Sequence, residues 1–381
     1  MEREATAQHL PHVGAAEHSG AATATARSKN AETAITEVGV ALDAQLRRAA
    51  AALPSIAGKI PLGDISISRV QGAQPGMSCG LGEPHMHIWL MKWPMYSDQS
   101  VTEEIKKLAV SIVNALGSDA FGRPLLNKGY EMAVGSGEPT HYERGKVYIN
   151  YAAAAGKSMC GIYEACAGDS AATAEAIKMN CAVNLLLNAV HELLHATHDE
   201  SGTAATRESR YDALYRSAAD PDTRLRLESQ RNMVTEAMPT FIQHAVEELL
   251  IDRLGPENGM RLGPPHSRIN TKAFLEARLT REPKAALERV AKDAGSGVAL
   301  RGVTNPSIDG YCQALMAPLQ GSYYGLYEYL AGSAMCSIIH LANARSLPLT
   351  FRAIAGMESF SELSTAATRS LMAASRVAAQ V

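Results

Sequence analysis

Two histidines four residues apart enclose a glutamate in His191-Glu192-Leu193-Leu194-His195. On a helix, residues i and i+4 share a face, so both imidazoles can hold one metal ion, while Glu192 lies where it can take a proton from a water activated there. This HExxH pattern arises by chance about once in fifty chains of such length and composition. The competing reading is a pair of solvated histidines on a surface helix. Two histidines do not complete a catalytic zinc site, which takes a third protein ligand and keeps one position open. His198 and Ser201 stand where the HExxHxxGxxH continuation needs a glycine and a histidine, which excludes that subclass. A glutamate from a following helix is the alternative, and Glu208, Glu228, Glu236, Glu247 and Glu248 are available.

Helical geometry ranks them. The spacing predicts a helix from Thr240 to Leu254 with an apolar stripe of Ile242, Ala245, Val246, Leu249 and Leu250, and Glu248 borders that stripe while Glu247 turns further out. Asp252, one turn past Glu248, could orient a ligand histidine. Glu248 therefore ranks first as third ligand, ahead of Glu236 and Glu247. Arg261, His266 and Arg268 follow in a loop, where any of them, or Tyr311, could stabilise an oxyanion or simply serve local hydrogen bonding. His85 and His87 share a strand face but read better as an ordinary exposed pair than as a second metal site.

The elements that must position these residues can be read from pattern. Ser170 to Glu200 holds no Gly or Pro, and Val183, Leu186, Leu187, Val190 and Leu194 recur at helical spacing, which predicts one long helix carrying the HExxH. A polar connector spans Ser217 to Thr223, and Gly255-Pro256 should end the next helix. Upstream, Ser100-Val101-Thr102-Glu103 reads as a capping box opening a helix through Leu116. Strands are expected at Asp64 to Val70, His85 to Trp93, Tyr130 to Val134 and Lys146 to Tyr151. Folded structure is expected to begin near Gly63, since the Ala-, Thr- and Ser-rich stretch to about residue 56 offers few large apolar groups. Within it, Glu32 to Ala52 could form a short surface or partner-binding helix. Beyond Asn305 the pattern is helical, punctuated by Gly321, Gly332 and Pro348, with Tyr323, Tyr324, Tyr327 and Tyr329 as helix-packing residues. The expected organisation is a disordered leader over 1–56, a catalytic α+β domain over 57–304 and a helical C-terminal subdomain over 305–381.

Composition narrows the partners. With 36 Lys+Arg against 39 Asp+Glu over 381 residues, the net charge is -3, and no basic block favours nucleic acid or an anionic membrane surface. No run of apolar residues is long enough for a membrane span, and the first residues lack the apolar core of a Sec signal peptide. The six cysteines form no CxxC pair and read as free thiols, the closest candidates for a clip being Cys160 and Cys166.

The segment Ala189 to His198, the pair Glu247-Glu248, then Glu257-Asn258, Arg261, Leu262-Gly263 and Arg268 together resemble the NleD-like effector peptidases. These are zinc metalloproteases that bacterial pathogens inject into host cells by type III secretion. The resemblance covers roughly 184–270. It implies a zincin fold with a small sheet packed on the HExxH helix, His191 and His195 as zinc ligands, and Glu192 as catalytic glutamate. It further implies a host protein substrate, for which mitogen-activated protein kinases are the best-known family target. Type III export without a Sec signal, action in the host cytoplasm and a secretion chaperone bound by the N-terminal region would follow. The competing expectations are a non-catalytic effector that docks a host protein through its helical C-terminal region, and a zinc hydrolase acting on a non-peptide amide.

Overall fold

A computed structural model describes residues 17–61, 65–70, 85–90, 98–117, 123–135, 140–150, 169–259, 326–343 and 346–378. Of these, 17–37, 65–70, 85–90, 170, 255–259, 326–331, 334, 341 and 371–378 are described as backbone. The fold is α+β and mostly helical, with a small three-stranded mixed sheet and a separate two-stranded one. Among the described residues, no helix is long and apolar enough to cross a membrane.

The first helix, α1 (Glu17–Lys59), overturns the expectation of a leader reaching residue 56. Leu42, Leu46, Ala49, Leu53, Ile56 and Ile60 recur at three- and four-residue intervals, and all are buried. They form one apolar stripe of the kind that holds a helix onto a core. Averaged over fifty residues the composition is too polar to fold, but the large apolar groups are concentrated on a single face. Asp43 on this helix pairs with Arg253, whose Nε lies 3.1 Å from the carboxylate.

Strands β1 (Ile65–Val70) and β2 (His85–Leu90) pair antiparallel, with His85 opposite Val70 and His87 opposite Ser68. The side chains of both histidines lie outside the described residues. Helix α2 (Gln99–Ala115) buries Val101, Ile105, Leu108, Ile112 and Val113. Its cap is Asp98 rather than the expected Ser100: the Asp98 carboxylate accepts from the N–H groups of Ser100 at 2.8 Å and Val101 at 3.3 Å. Ser100 thus falls inside the first turn, where a cap no longer serves.

The mixed sheet has β5 (Lys146–Asn150) in its centre, with β3 (Glu131–Gly135) parallel to it and β4 (His141–Glu143) antiparallel. A two-residue turn at Arg144-Gly145, with φ of 46° and 87°, closes the β4–β5 hairpin, and both angles match the primed turns whose twist suits such strands. The sheet leaves β4 as an edge. That edge meets α3 (Ser170–Glu200), the helix expected from the periodicity, capped by Asp169 through the N–H groups of Ala171 and Ala172. Gly202, at φ 79°, turns the chain sharply from α3 into α4 (Thr203–Ser217).

Helix α5 (Pro221–Gly259) is far longer than the expected Thr240 to Leu254. It runs through Pro239 and past Gly255-Pro256, neither of which ends it. Among the described residues three helices follow: α6 (Leu326–Ala342), α7 (Leu347–Ile354), with Pro348 in its first turn, and α8 (Phe360–Ala378). Gly332, expected as a break, lies inside α6 against α5; a Cβ there would meet the Met233 carbonyl oxygen at 2.6 Å and the Ala237 Cβ at 2.9 Å. The C-terminal helices share one continuous core with the rest, which joins Leu42, Ile105, Leu186, Ile242, Phe351 and Leu363. No break in that core separates the three expected regions. Cys181 and Cys336 are buried free thiols, as expected, while Cys79, Cys160, Cys166 and Cys312 lie outside the described residues.

If α1 is core, Leu46→Ala should cost about 3 kcal/mol of unfolding free energy, whereas Val40→Ala, at an exposed position on the same helix, should change it by less than about 0.5 kcal/mol. Urea unfolding followed by circular dichroism measures both; equal, negligible effects would return α1 to the status of a dispensable leader.

Candidate metal centre

Helices α3 and α5 pack antiparallel. His195 meets Glu236, His191 meets both Glu236 and Gln243, and Asn188 meets Gln243, so passing along α3 towards its C-terminus runs back towards the N-terminus of α5. Three donor atoms converge at this contact. His191 Nε2 lies 3.2 Å from His195 Nε2 and 3.2 Å from Glu236 Oε2, and His195 Nε2 lies 3.3 Å from the same oxygen. The imidazole centroids are 5.0 Å apart in an edge-on arrangement. Among the described residues these three form the one group of histidine, cysteine and acidic side chains with metal-holding geometry.

Glu236, rather than the favoured Glu248, therefore meets the histidines. Glu248 lies twelve residues further along α5, about 18 Å along the axis and turned about 120° from Glu236. Glu247 and Glu248 are half-buried on other parts of α5, and Asp252 is exposed. Arg261, His266, Arg268 and Tyr311 lie outside the described residues. The expected helix began only at Thr240, whereas α5 begins at Pro221 and continues through Pro239, so that Glu236, Thr240 and Gln243 fall on one helical face. The missed signal was that spacing of four and three residues, upstream as well as downstream of the proline.

Protonation tells why a cation suits this place. Gln243 Oε1 lies 3.0 Å from His191 Nδ1 and can accept a hydrogen bond from it, and a ring that donates there offers its Nε2 lone pair to a cation. The Nε2 atom faces a second imidazole nitrogen and a carboxylate oxygen. Burial alone would raise the Glu236 pKa, yet the hydrogen bonds to His191 and His195 hold its carboxyl well below the usual carboxylate range. The donors form a nearly equilateral triangle of lone pairs that a shared positive charge satisfies. Its edges approach the roughly 3.3–3.5 Å that separates ligand atoms in a tetrahedral site with bonds of about 2.0–2.1 Å.

Glu192 is buried on the side of α3 that meets β4. Its carboxylate accepts a hydrogen bond from the backbone N–H of Tyr142, and burial pushes its pKa up to about 7, with the charge of Glu236 adding to the rise and His191 and His141 opposing it. The sheet is pinned here by Tyr142, whose hydroxyl donates to Asp199 at 2.9 Å and whose pKa rises to about 12 through burial and that bond. At the end of α3, Glu200 accepts from the N–H of Asn127 at 3.2 Å.

Behind the donors sit two buried groups absent from the expected set. His198, one turn past His195, is 3% exposed, and neither ring nitrogen has a hydrogen-bond partner among the described residues. Burial pushes its pKa well below the ordinary value, helped by Arg207 and His195, which keeps the ring neutral. Arg207, 2% exposed, donates to Thr235 Oγ1 and to the Met357 carbonyl, each at 3.3 Å.

Compared with known proteins, the chain matches no family model, no curated protein and no solved structure. What it can do must be argued from this centre.

The protein should bind one divalent transition-metal ion per chain. Glu236→Gln should weaken that affinity by more than the about 10–100-fold typical of losing a supporting partner, and Glu248→Gln should leave it unchanged. Elemental analysis and competitive chelator titration read both, and the reverse pattern would restore Glu248.

Proposed function

We propose that the protein is a zinc-dependent peptidase whose ion is held by His191, His195 and Glu236. The observation that carries this reading is the convergence of two imidazoles and a carboxylate within 3.3 Å, with a buried glutamate on the next residue of the same helix. Two nitrogens and one oxygen in this spacing suit zinc, and three protein ligands leave a fourth position for substrate or water. The zincin reading of the α+β fold rests on the same grounds: one long helix carries His191, Glu192 and His195, and a small sheet borders it.

A zinc ion there supplies Lewis acidity, polarising a scissile carbonyl and lowering the pKa of water towards about 7. The chain's residues do the rest. Glu192, held by the Tyr142 N–H, takes a proton from the attacking water and delivers it to the leaving amine. The sheet beside Glu192 offers backbone against which an extended peptide substrate could lie.

The resemblance to the NleD-like peptidases extends the proposal to a type III effector acting in the host cytoplasm on a host protein, with mitogen-activated protein kinases as the first substrates to try. A secretion chaperone would then engage the region before residue 38, since Leu42 to Ile60 is committed to the core.

Glu192→Gln should retain zinc and lose peptide hydrolysis by roughly 10²–10⁴-fold, measured on a peptide library and on purified host kinases. Hydrolysis by the variant at the wild-type rate would sink the mechanism. Binding of a host protein that persists in Glu192→Ala, without any cleavage by wild type, would favour a docking effector instead.

A further inference from the structure

The contact at His191 Nδ1 is itself supported. Gln243 Nε2 donates to Asn188 Oδ1 at 3.3 Å, and Gln243 Oε1 faces His191 Nδ1 at 3.0 Å. Both partners are half-buried, so water competes weakly for these bonds. The amide has one acceptor end and one donor end, and each is used in only one direction. With Asn188 Oδ1 accepting, the Gln243 oxygen faces the imidazole, and a ring that donates to it from Nδ1 presents its Nε2 lone pair towards Glu236 and His195. Asn188 and His191 are one turn apart on α3, and Gln243 and Glu236 lie two turns apart on one face of α5. The same docking that brings Glu236 to the histidines thus brings the amide to His191.

We infer that Gln243, held by Asn188, is the positioning residue of the metal centre: it sets the tautomer and ring orientation of His191. This rests on the proposed metal site. Histidine ligands commonly donate their second nitrogen to a carboxylate, carbonyl or water, and loss of such a partner typically lowers metal affinity about 10–100-fold. Here the partner is a neutral amide. A carboxylate would make the ring a stronger electron donor and quench part of the Lewis acidity of the ion, so the amide favours a more electrophilic metal at some cost in affinity.

The experiment compares wild type, Gln243→Leu and Gln243→Glu. In metal-free protein, ¹⁵N-edited spectra of the His191 ring should show the Nδ1–H form in wild type and a mixture of tautomers in Gln243→Leu. By competitive titration with Zn²⁺, Gln243→Leu should bind about 10–100-fold more weakly, while Gln243→Glu should bind at least as tightly as wild type. Co²⁺-substituted Gln243→Leu should show an altered visible spectrum. An Nε2–H ring in the wild type overturns the inference, as does equal weakening by Leu and Glu, which would make Gln243 a packing residue only. Wild type that shows the Nδ1–H form yet binds no Zn²⁺ would remove the peptidase reading and leave the positioning of His191 established.

Discussion

The antiparallel contact between α3 and α5 is the constraint on which the rest of the structure depends. His191 and Glu236 are 45 residues apart in the chain, and α4 with the turn at Gly202 must return the chain so that their side chains meet at 3.2 Å. Apolar residues accompany these side chains along both helices: Val190, Leu193, Leu194, Met233, Ala237 and Ile242 are all buried. Burying apolar surface is non-directional, and on its own it would tolerate some sliding of one helix along the other. The polar groups set the register. His195 with Glu236 and Asn188 with Gln243 satisfy the same alignment at two points one and a half to two turns apart, and a slip of one turn would leave a carboxylate, two imidazoles and two amides unpaired in a dry contact.

Sequence periodicity revealed one half of this contact far better than the other. The absence of Gly and Pro from Ser170 to Glu200 and the regular apolar stripe made most of α3 legible, and the HExxH came with it. The strands at Glu131–Gly135 and Lys146–Asn150 were legible from alternation, though the short β4 between them was not. Across the contact, α5 starts nineteen residues before the expected Thr240 and runs through Pro239, so Glu236 lay outside the expected helix. A proline inside a helix removes one backbone bond, here the one to the Thr235 carbonyl, and is usually costly enough to mark a boundary. The apolar face that Met233, Ala237, Phe241 and Ile242 present to the core offsets that loss, so tertiary packing carries the helix through a residue that local propensity would reject. For α1 the error was one of averaging: small polar residues dominate the composition, while Leu42, Leu46, Leu53 and Ile56 decide the packing.

The C-terminal helices belong to the support of the centre. Arg207 on α4 ties Thr235, the neighbour of Glu236, to the Met357 carbonyl, the Tyr211 hydroxyl accepts from the Phe360 N–H at 3.0 Å, and Arg210 pairs with Glu362 at 2.9 Å. The Arg210–Glu362 pair is exposed and adds little by itself. Arg207 is different, because a guanidinium that is nearly fully buried with neutral partners carries a desolvation cost that only its geometry can justify. It links Thr235, the residue beside Glu236, to the segment between α7 and α8. Gly332 adds a second link, since the close approach of α6 to the α5 backbone at Met233 lies one turn from Glu236.

An electrostatic argument connects the centre to folding. Without an ion, Glu236 is stabilised only by hydrogen bonding to imidazoles, one of whose nitrogens is already committed to Gln243, so the two rings and the carboxylate must share too few protons among three lone pairs. An ion that binds the assembled triad and not the unfolded chain stabilises the fold by RT ln(1 + [L]/Kd), about 2.7 kcal/mol at one hundred times Kd. That gain is of the same order as the cost of burying the cluster's polar groups without full partners. Because the ligands come from two helices, the ion would also hold α3 against α5, and through Tyr142 and Asp199 it would hold the sheet edge beside Glu192. Metal occupancy, helix register and the placement of the candidate base are then one coupled equilibrium.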